Sequence, residues 1–302
     1  MKLNPGAEVR SERVITGAAA ARTRDLKKPR VGFQGEHGAF SEQAVFKHFG
    51  QDVETVPIKS IREVFNLTEV GAIDIGVVPI ENSIEGSVSE SYDMFLTSSV
   101  KVVGEEVVRV VHCLISLPST KMSEVKVIYS HPQALAQCRN FVASMLAEPR
   151  VTYDTAGSVK MIKEEKMAGA AAIASQKAAE IYGMKILKKG IEDYGRNFTR
   201  FLVISKTEGR KQPDSKTSLI FSVPHTPGSL YNVLEVFARH GINLTKIESR
   251  PTRQQPWEYY FFVDVEGHHK DAVLSKALAE VATKTVFLKV LGSYPRSKEE
   301  LV

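Results

Sequence analysis

The chain has 302 residues, 43% hydrophobic and 25% charged, with a formal net charge of +5. That length suggests about two domains with real cores, and no apolar stretch approaches the ~18 residues of a membrane span, since the run from Val107 to Leu117 is broken by Arg109 and His112. Residues 1–30 carry eight basic and three acidic residues, so the remainder balances at 32 of each sign and offers nucleic acid no basic field.

Residues 1–29 are rich in Ala and Arg, lack an apolar secretory core and include three acids. They read as a disordered N-terminal extension, with organelle targeting disfavoured. From Arg30 onward short apolar runs alternate with helical patterns. Val31-Gly32-Phe33 leads into a glycine-rich turn and a helix from about Ser41, and Ile75-Gly76-Val77-Val78 leads into Glu81-Asn82-Ser83. Val125 to Tyr129 leads into Ser130-His131-Pro132 and a helix, and Ala170 to Ala174 leads into Ser175 and another. This β–turn–α rhythm predicts α/β architecture with largely parallel sheets. Cys113 and Cys138 lie 25 apart with no metal spacing, and read as reduced core thiols of a cytoplasmic protein. The histidines show no ligand spacing either, so no metal and no cofactor are expected.

Residues 206–216 are polar, with Gly209 and Pro213, and make a linker. Beyond it Leu219, Phe221 and Val223 alternate with Ser218 and Ser222, which predicts a half-buried strand. Leu230, Val233, Leu234, Phe237 and Ala238 mark an amphipathic helix. Strands follow at Ile242 to Arg250 and Tyr259 to Val265, a helix around Leu274 to Val281, and a strand at Val286 to Leu291. The order βαββαβ is the split plan of ferredoxin-like domains.

Four junctions, Gly35 to Ser41, Glu81 to Ser87, Ser130 to Pro132 and Thr155 to Ser158, carry glycine or small polar residues. Each leaves backbone N–H groups free where a helix starts, which suits ordinary capping or, if a cleft collects several, an anion. Asn197-Phe198-Thr199-Arg200-Phe201 sets a hydroxyl donor beside a permanent cation at the mouth of a strand. That pairing fits a small anionic substrate that must lose an oxygen.

Together with GEHGAFSEQAVF at 35–46, VVPIENSIEGSV at 77–88, YSHPQALAQC at 129–138, DTAGSVKMI at 154–162, AAIASQKAAEIYG at 171–183 and KIESRP at 246–251, this segment resembles the prephenate dehydratases and related arogenate dehydratases with a C-terminal ACT domain. The resemblance spans about residues 30 to 296. It implies a catalytic domain over 30–206, built as two lobes around a cleft like type II periplasmic binding proteins, with the second lobe about 111–182. It further implies a linker over 207–215 and an ACT regulatory domain over 216–296. The substrate would be prephenate or its transaminated form arogenate, which loses CO2 and hydroxide and becomes aromatic. No electron-sink cofactor is needed, because aromatisation drives the step.

The resemblance implies Thr199 as the group at the departing hydroxyl, with Gln137 and Asn82 as neutral donors to substrate oxygens. Asn82 reads equally as the cap of its turn. Glu81, Ser83, Ser130, Thr155, Ala156, Ser175, Arg200 and Phe201 follow as substrate-binding candidates, although Arg200 suits a carboxylate ligand or the partner of a structural acid alike. His37 and His131 read as turn histidines. Pro227, Gly228, Ser229 and Leu230, with Glu248, Ser249, Arg250 and Pro251, match the segments that hold phenylalanine in related ACT domains. Here Ser229 and Tyr231 stand where the family commonly has smaller or aliphatic residues. A homodimer or homotetramer is expected, with no nucleic-acid or membrane partner. The competing reading is a non-catalytic two-lobed ligand-binding protein fused to an amino-acid sensor.

Overall fold

The computed structural model describes residues 28–253 and 257–297. Residues 1–27 lie outside that range, so the expected N-terminal extension falls almost wholly beyond the described residues.

The first lobe opens with β1 (Arg30–Gln34), α1 (Phe40–Phe49), β2 (Glu54–Ile58), α2 (Ile61–Val70), β3 (Ile75–Asn82), β4 (Gly86–Ser87), α3 (Ser89–Thr97) and β5 (Lys101–Arg109). Its local signals agree with its pattern. Helix α2 buries Ile61, Val64, Phe65 and Thr68 at helical spacing, starts under the Ser60 side chain, which accepts from the Glu63 N–H, and stops at Gly71 in the left-handed conformation. The chain then crosses to the second lobe: β6 (Cys113–Ser116), β7 (Val127–Ser130), α4 (Pro132–Gln137), α5 (Arg139–Ser144), β8 (Glu148–Val151), α6 (Thr155–Glu164), β9 (Ala170–Ala174), α7 (Gln176–Tyr182) and β10 (Lys185–Lys189). It returns through β11 (Phe198–Ser205).

The first sheet has the order β2-β1-β3-β11-β5, with β4 hydrogen-bonded to β3, and the second the order β10-β6-β9-β7-β8. Only β1–β3 and β7–β9 pair in parallel within them. The largely parallel expectation is therefore corrected. Strands β11 and β6 each receive the chain from the other lobe and run antiparallel to both neighbours. The second lobe also continues past Tyr182 to Lys189. Gly183 ends α7 in the left-handed conformation, and the lysine-rich edge strand β10, with no apolar alternation to mark it, pairs with β6.

The two crossings lie side by side, with the Val110 N–H on the Asn197 carbonyl at 2.8 Å and the Gly190 N–H on the His112 carbonyl at 2.9 Å. They are the two connections between the lobes, and are called the hinge for their position. Away from it the lobes meet at the 35–38 loop. Glu36 accepts from the Tyr153 hydroxyl at 2.7 Å and from Lys160 at 3.1 Å, and Ser175 donates to the Gly38 carbonyl at 2.6 Å. Gly38 has φ of +91° and leaves no room for a Cβ, which would sit 2.6 Å from the Ala178 Cα. Cys113 and Cys138 are free and buried in the second lobe, where loss of water pushes both thiols above their ordinary range.

The C-terminal domain comprises β12 (Ser215–Ser222), α8 (Ser229–Arg239), β13 (Leu244–Pro251), β14 (Tyr259–Glu266), α9 (Ala272–Ala282) and β15 (Phe287–Pro295), in an antiparallel sheet of order β13-β14-β12-β15. This is the expected ferredoxin-like plan. One correction concerns β12, expected to be half-buried. Seven of its eight residues are buried, because Leu219 and Phe221 pack under α8 and α9 while Ile220 packs with Phe262, Leu291 and Tyr294 against Leu202 and Ile204 of the first lobe. The docking is close. Lys289 donates to the Phe95 and Ser98 carbonyls at the end of α3, both at 2.7 Å, and a Cβ on Gly292 would lie 2.0 Å from the Val102 carbonyl oxygen.

Candidate active site

Between the lobes lies a cleft of about 370 Å³. Strands β3 and β11 deliver two of its residues as a pair, since Asn82 stands directly opposite Thr199 in the antiparallel register. The Asn82 Oδ1 accepts from the Ile84 and Glu85 N–H groups at 2.9 and 3.0 Å, which fixes the orientation of the amide. Its Nδ2 then faces Asn197 Oδ1 at 2.7 Å, the Phe198 carbonyl at 3.2 Å and Thr199 Oγ1 at 3.0 Å. Turn capping and cleft lining thus fall to one side chain. Because Thr199 Oγ1 accepts this bond, its own proton is left to be given elsewhere.

The network continues across the hinge. Asn197 Nδ2 donates to Gln137 Oε1 at 2.8 Å, and His112 Nε2 lies 2.9 Å from the same oxygen. An oxygen that already takes the Asn197 donor is an acceptor toward His112 as well, so Nε2 carries the proton and Gln137 turns its NH2 group away from both. Burial holds the His112 pKa below its ordinary value, with the Gln137 contact opposing, so the imidazole is neutral. Its Nδ1 is buried and has no hydrogen-bond partner among the described residues. Asn197 and His112, fully or almost fully buried, complete the network, and sequence reasoning missed both. The available signal was a polar residue stranded in an apolar run for His112, and the residue that opens the Thr-Arg-Phe segment for Asn197.

Thr155 lines the cleft from the start of α6, whose cap is Asp154 accepting from the Gly157 N–H at 2.7 Å. Burial raises the Asp154 pKa, against the pull of its backbone hydrogen bonds. Lys59 and Ser60 line the opposite wall beside the start of α2. Among the described residues Lys59 is the lysine that lines the cleft. His131 caps α4 by accepting from the Gln133 N–H at 3.3 Å, as a turn histidine does, and it also lines the cleft. His37 pairs with Glu42 at 2.7 Å and does not line it.

The cleft therefore collects Thr199, Asn82, Gln137 and Thr155 among the expected residues, and not the other seven. Ser130 is a core staple, donating to the Ile173 carbonyl at 2.6 Å, and Ala156 lies in the core cluster between the lobes. Ser175 caps α7 and clamps Gly38. Ser83 donates to the Arg196 carbonyl and accepts from the Phe198 N–H, fastening the β3 turn to the hinge. Phe201 is buried in the core. Glu81 and Arg200, next to Asn82 and Thr199 along alternating strands, turn to the opposite face and ion-pair there with each other and with the C-terminal domain. Arg200 is thus the partner of structural acids, and the carboxylate-ligand alternative does not fit its position.

In the C-terminal domain Gly228 has φ of +80° and opens α8, with the Thr226 and Ser229 hydroxyls 2.7 Å apart. Glu248 to Pro251 form the end of β13, an edge strand of the sheet.

Comparison with known proteins places this geometry. The prephenate dehydratase family model matches residues 31–209 and the ACT domain model residues 217–283. The chain belongs to the prephenate dehydratase family. It is 46% identical over 273 residues to a bifunctional chorismate mutase/prephenate dehydratase of Aquifex aeolicus, covering 90% of this chain and 75% of that one. It is 40% identical over 277 residues to arogenate dehydratase/prephenate dehydratase 2, chloroplastic, of Arabidopsis thaliana, covering 88% and 72%. The solved prephenate dehydratase from Arthrobacter aurescens in complex with L-Phe superposes with a TM-score of 0.81 at 30% identity, covering 90% of this chain and 91% of that one. The family's ACT fold continues here beyond the matched residues into β15.

Proposed function

We propose that the cleft converts prephenate to phenylpyruvate, CO2 and water, with Thr199 as the donor to the departing ring hydroxyl. The observation that carries this reading is the locked Asn82 amide, which makes Thr199 Oγ1 an acceptor within the protein and leaves its O–H to point at a ligand. The electron pair of the ring–carboxylate bond moves into the ring as CO2 departs. The C–OH bond breaks, and the hydroxide leaves along the Thr199 hydrogen bond to become water with a solvent proton. A threonine hydroxyl is a very weak acid, so its contribution is a hydrogen bond that strengthens as charge grows on the leaving oxygen. The Gln137 NH2 group supplies a second neutral donor, and Lys59 meets a carboxylate. A phenylpyruvate assay on prephenate tests the reading directly. Absence of product, with tight binding of the dicarboxylate, would favour a ligand-binding protein instead.

Arogenate is the alternative substrate, favoured by the 40% identity to a plant relative named for both activities. The two differ by a keto group against an ammonium, which one or two cleft side chains can distinguish. Comparing kcat/KM on both decides it.

Phenylalanine is the effector of the C-terminal domain in this reading, supported by the L-Phe complex of the Arthrobacter relative. Pro227 to Leu230 and Glu248 to Pro251 are its expected contacts. Among the described residues no strand pairs with the outer side of β13, so a second copy lying against it would both cover the edge and close the effector site. A dimer or tetramer is the assembly proposed on this ground, and the cytoplasm is the proposed compartment. Gly228→Val, which strains a left-handed position with open space around it, should abolish inhibition by phenylalanine and leave basal kcat unchanged. Full inhibition in that variant would remove this segment from the effector site.

A further inference from the structure

We infer that Lys246 and Asp264 of the ACT domain are positioning residues for the dehydration, each gripping the strand neighbour of an active-site residue through an ion pair. The inference rests on the proposed roles of Thr199 and Asn82.

The register sets the geometry. Thr199 and Asn82 face each other across β11 and β3, and the next pair along, Arg200 and Glu81, turns the other way. Arg200 Nη1 lies 2.8 Å from Asp264 Oδ2 on β14, and its Nη2 3.2 Å from Glu81 Oε2. That same Glu81 oxygen lies 2.7 Å from Lys246 Nζ on β13. One ACT residue therefore holds each of the two strands at the step beside its active-site residue. The pair Arg200–Glu81 ties the two grips together.

The grip is balanced in charge, and it is buried at its Asp264 end. Glu105 and Asp264 are 6% exposed, and Lys216 bridges them from 2.5 and 3.7 Å. Three cations, Arg200, Lys216 and Lys246, meet three carboxylates; losing a cation beside the buried Asp264 or Glu105 strands a charge in a poorly solvated place, whereas the Glu81 side chain is 39% exposed and stays partly hydrated. A shift of either ACT strand is then transmitted to β3 and β11, since side chains of adjacent strand residues share one backbone. A displacement of about 1 Å at a reacting group costs up to ~10²-fold in rate. Strand β3 also carries an irregularity at this step, between the Arg200–Glu81 and Phe201–Pro79 pairs, where the ladder alone holds less firmly.

The test uses the full chain with Lys246→Met, Lys246→Arg and Asp264→Asn, each assayed for kcat and KM on prephenate, alone and combined with Thr199→Ala. Amide hydrogen exchange of residues 81–85 and 197–200 is measured in parallel. We expect Lys246→Met to lower kcat about tenfold with KM changed less than about twofold, to be restored by Lys246→Arg, and to speed exchange in both segments. On the Thr199→Ala background Lys246→Met should produce no further loss, because the group being positioned is gone. An unchanged kcat, or an equal fold-loss with and without Thr199, overturns the inference. Asp264→Asn sits deeper and can fail to fold, whereas Lys246 lies at the rim and carries the test alone if it does. If the unmutated protein does not dehydrate prephenate, the dehydratase reading fails. Exchange still decides the grip, and unaltered exchange in both segments refutes it.

Discussion

Thr199 faces a cleft whose hydrogen bonds come from two asparagines, a glutamine and an uncharged imidazole, whereas Arg200, one residue on, faces three carboxylates, two of them buried. Neutral donors exchange partners at about 1 kcal/mol each, so the cleft network can loosen, admit a ligand and re-form. Full charges in a poorly solvated interface resist separation by several kcal/mol, so the face toward the ACT domain keeps one arrangement. A single strand thus joins an adaptable surface to a fixed one. The adaptable side lies at the hinge, where Asn197 and His112 belong to the two crossings between lobes. The fixed side lies where a regulatory domain must make itself felt.

Removing a buried charge should break the fixed side most severely. Asp264→Ala leaves Arg200 and Lys216 short of a carboxylate and should cost about 3–5 kcal/mol of stability in urea unfolding. A loss below about 1 kcal/mol would mean that water already screens the cluster. On the adaptable side Thr199→Ala should lower kcat at least about a hundredfold with little change in KM and almost none in melting temperature. Near-normal turnover would make the Thr-Arg-Phe segment structural. Gly292→Ala adds a methyl group where the Val102 carbonyl already sits. It should cost about 1–3 kcal/mol and lower kcat as the docked sheet is pushed off β5. Unaltered stability would show that the interface yields.

The smallest effect concerns pH. His112 is held neutral by burial, so its folded-state pKa lies below the unfolded value of about 6.5. Above that value both states are uncharged and nothing is lost. As pH falls through it the unfolded chain takes a proton that the folded one refuses, and stability drops by up to about 1.4 kcal/mol per unit. His112→Asn keeps a polar contact but cannot titrate, and its stability should decline less steeply between pH 7.5 and 5.5. Equal slopes would assign the decline to other histidines such as His131, whose pKa burial also lowers.

How much of this was legible in the sequence depended on whether a residue's role is local. The ACT order followed from apolar spacing, and Thr199, Asn82 and Gln137 from motifs that lie whole within short segments. Ser130 and Ser175 misled because a serine at a strand-to-helix junction looks the same whether it serves a ligand, the core or the other lobe. Arg200 stayed open between two roles for a longer-range reason: its partner Asp264 is 64 residues away, in a domain whose docking face no periodicity announces. A clue did exist in Ile220, which breaks the alternation of β12 by placing an apolar side chain on the face expected to be wet. For Lys185–Lys189 the clue was slight, because only the adjacent Ile186 and Leu187 of this edge strand pack on core clusters and the lysines around them are exposed.

The two native cysteines carry a practical consequence for watching the lobes move. Both thiols are sealed in the second lobe and pushed toward their protonated form, so neither competes for maleimide reagents at neutral pH. A fluorophore pair can therefore be installed by Val70→Cys on the first lobe and Ser123→Cys on the second, both exposed, without replacing either native residue. Energy transfer between the dyes would then report opening and closing of the cleft in the otherwise unaltered protein.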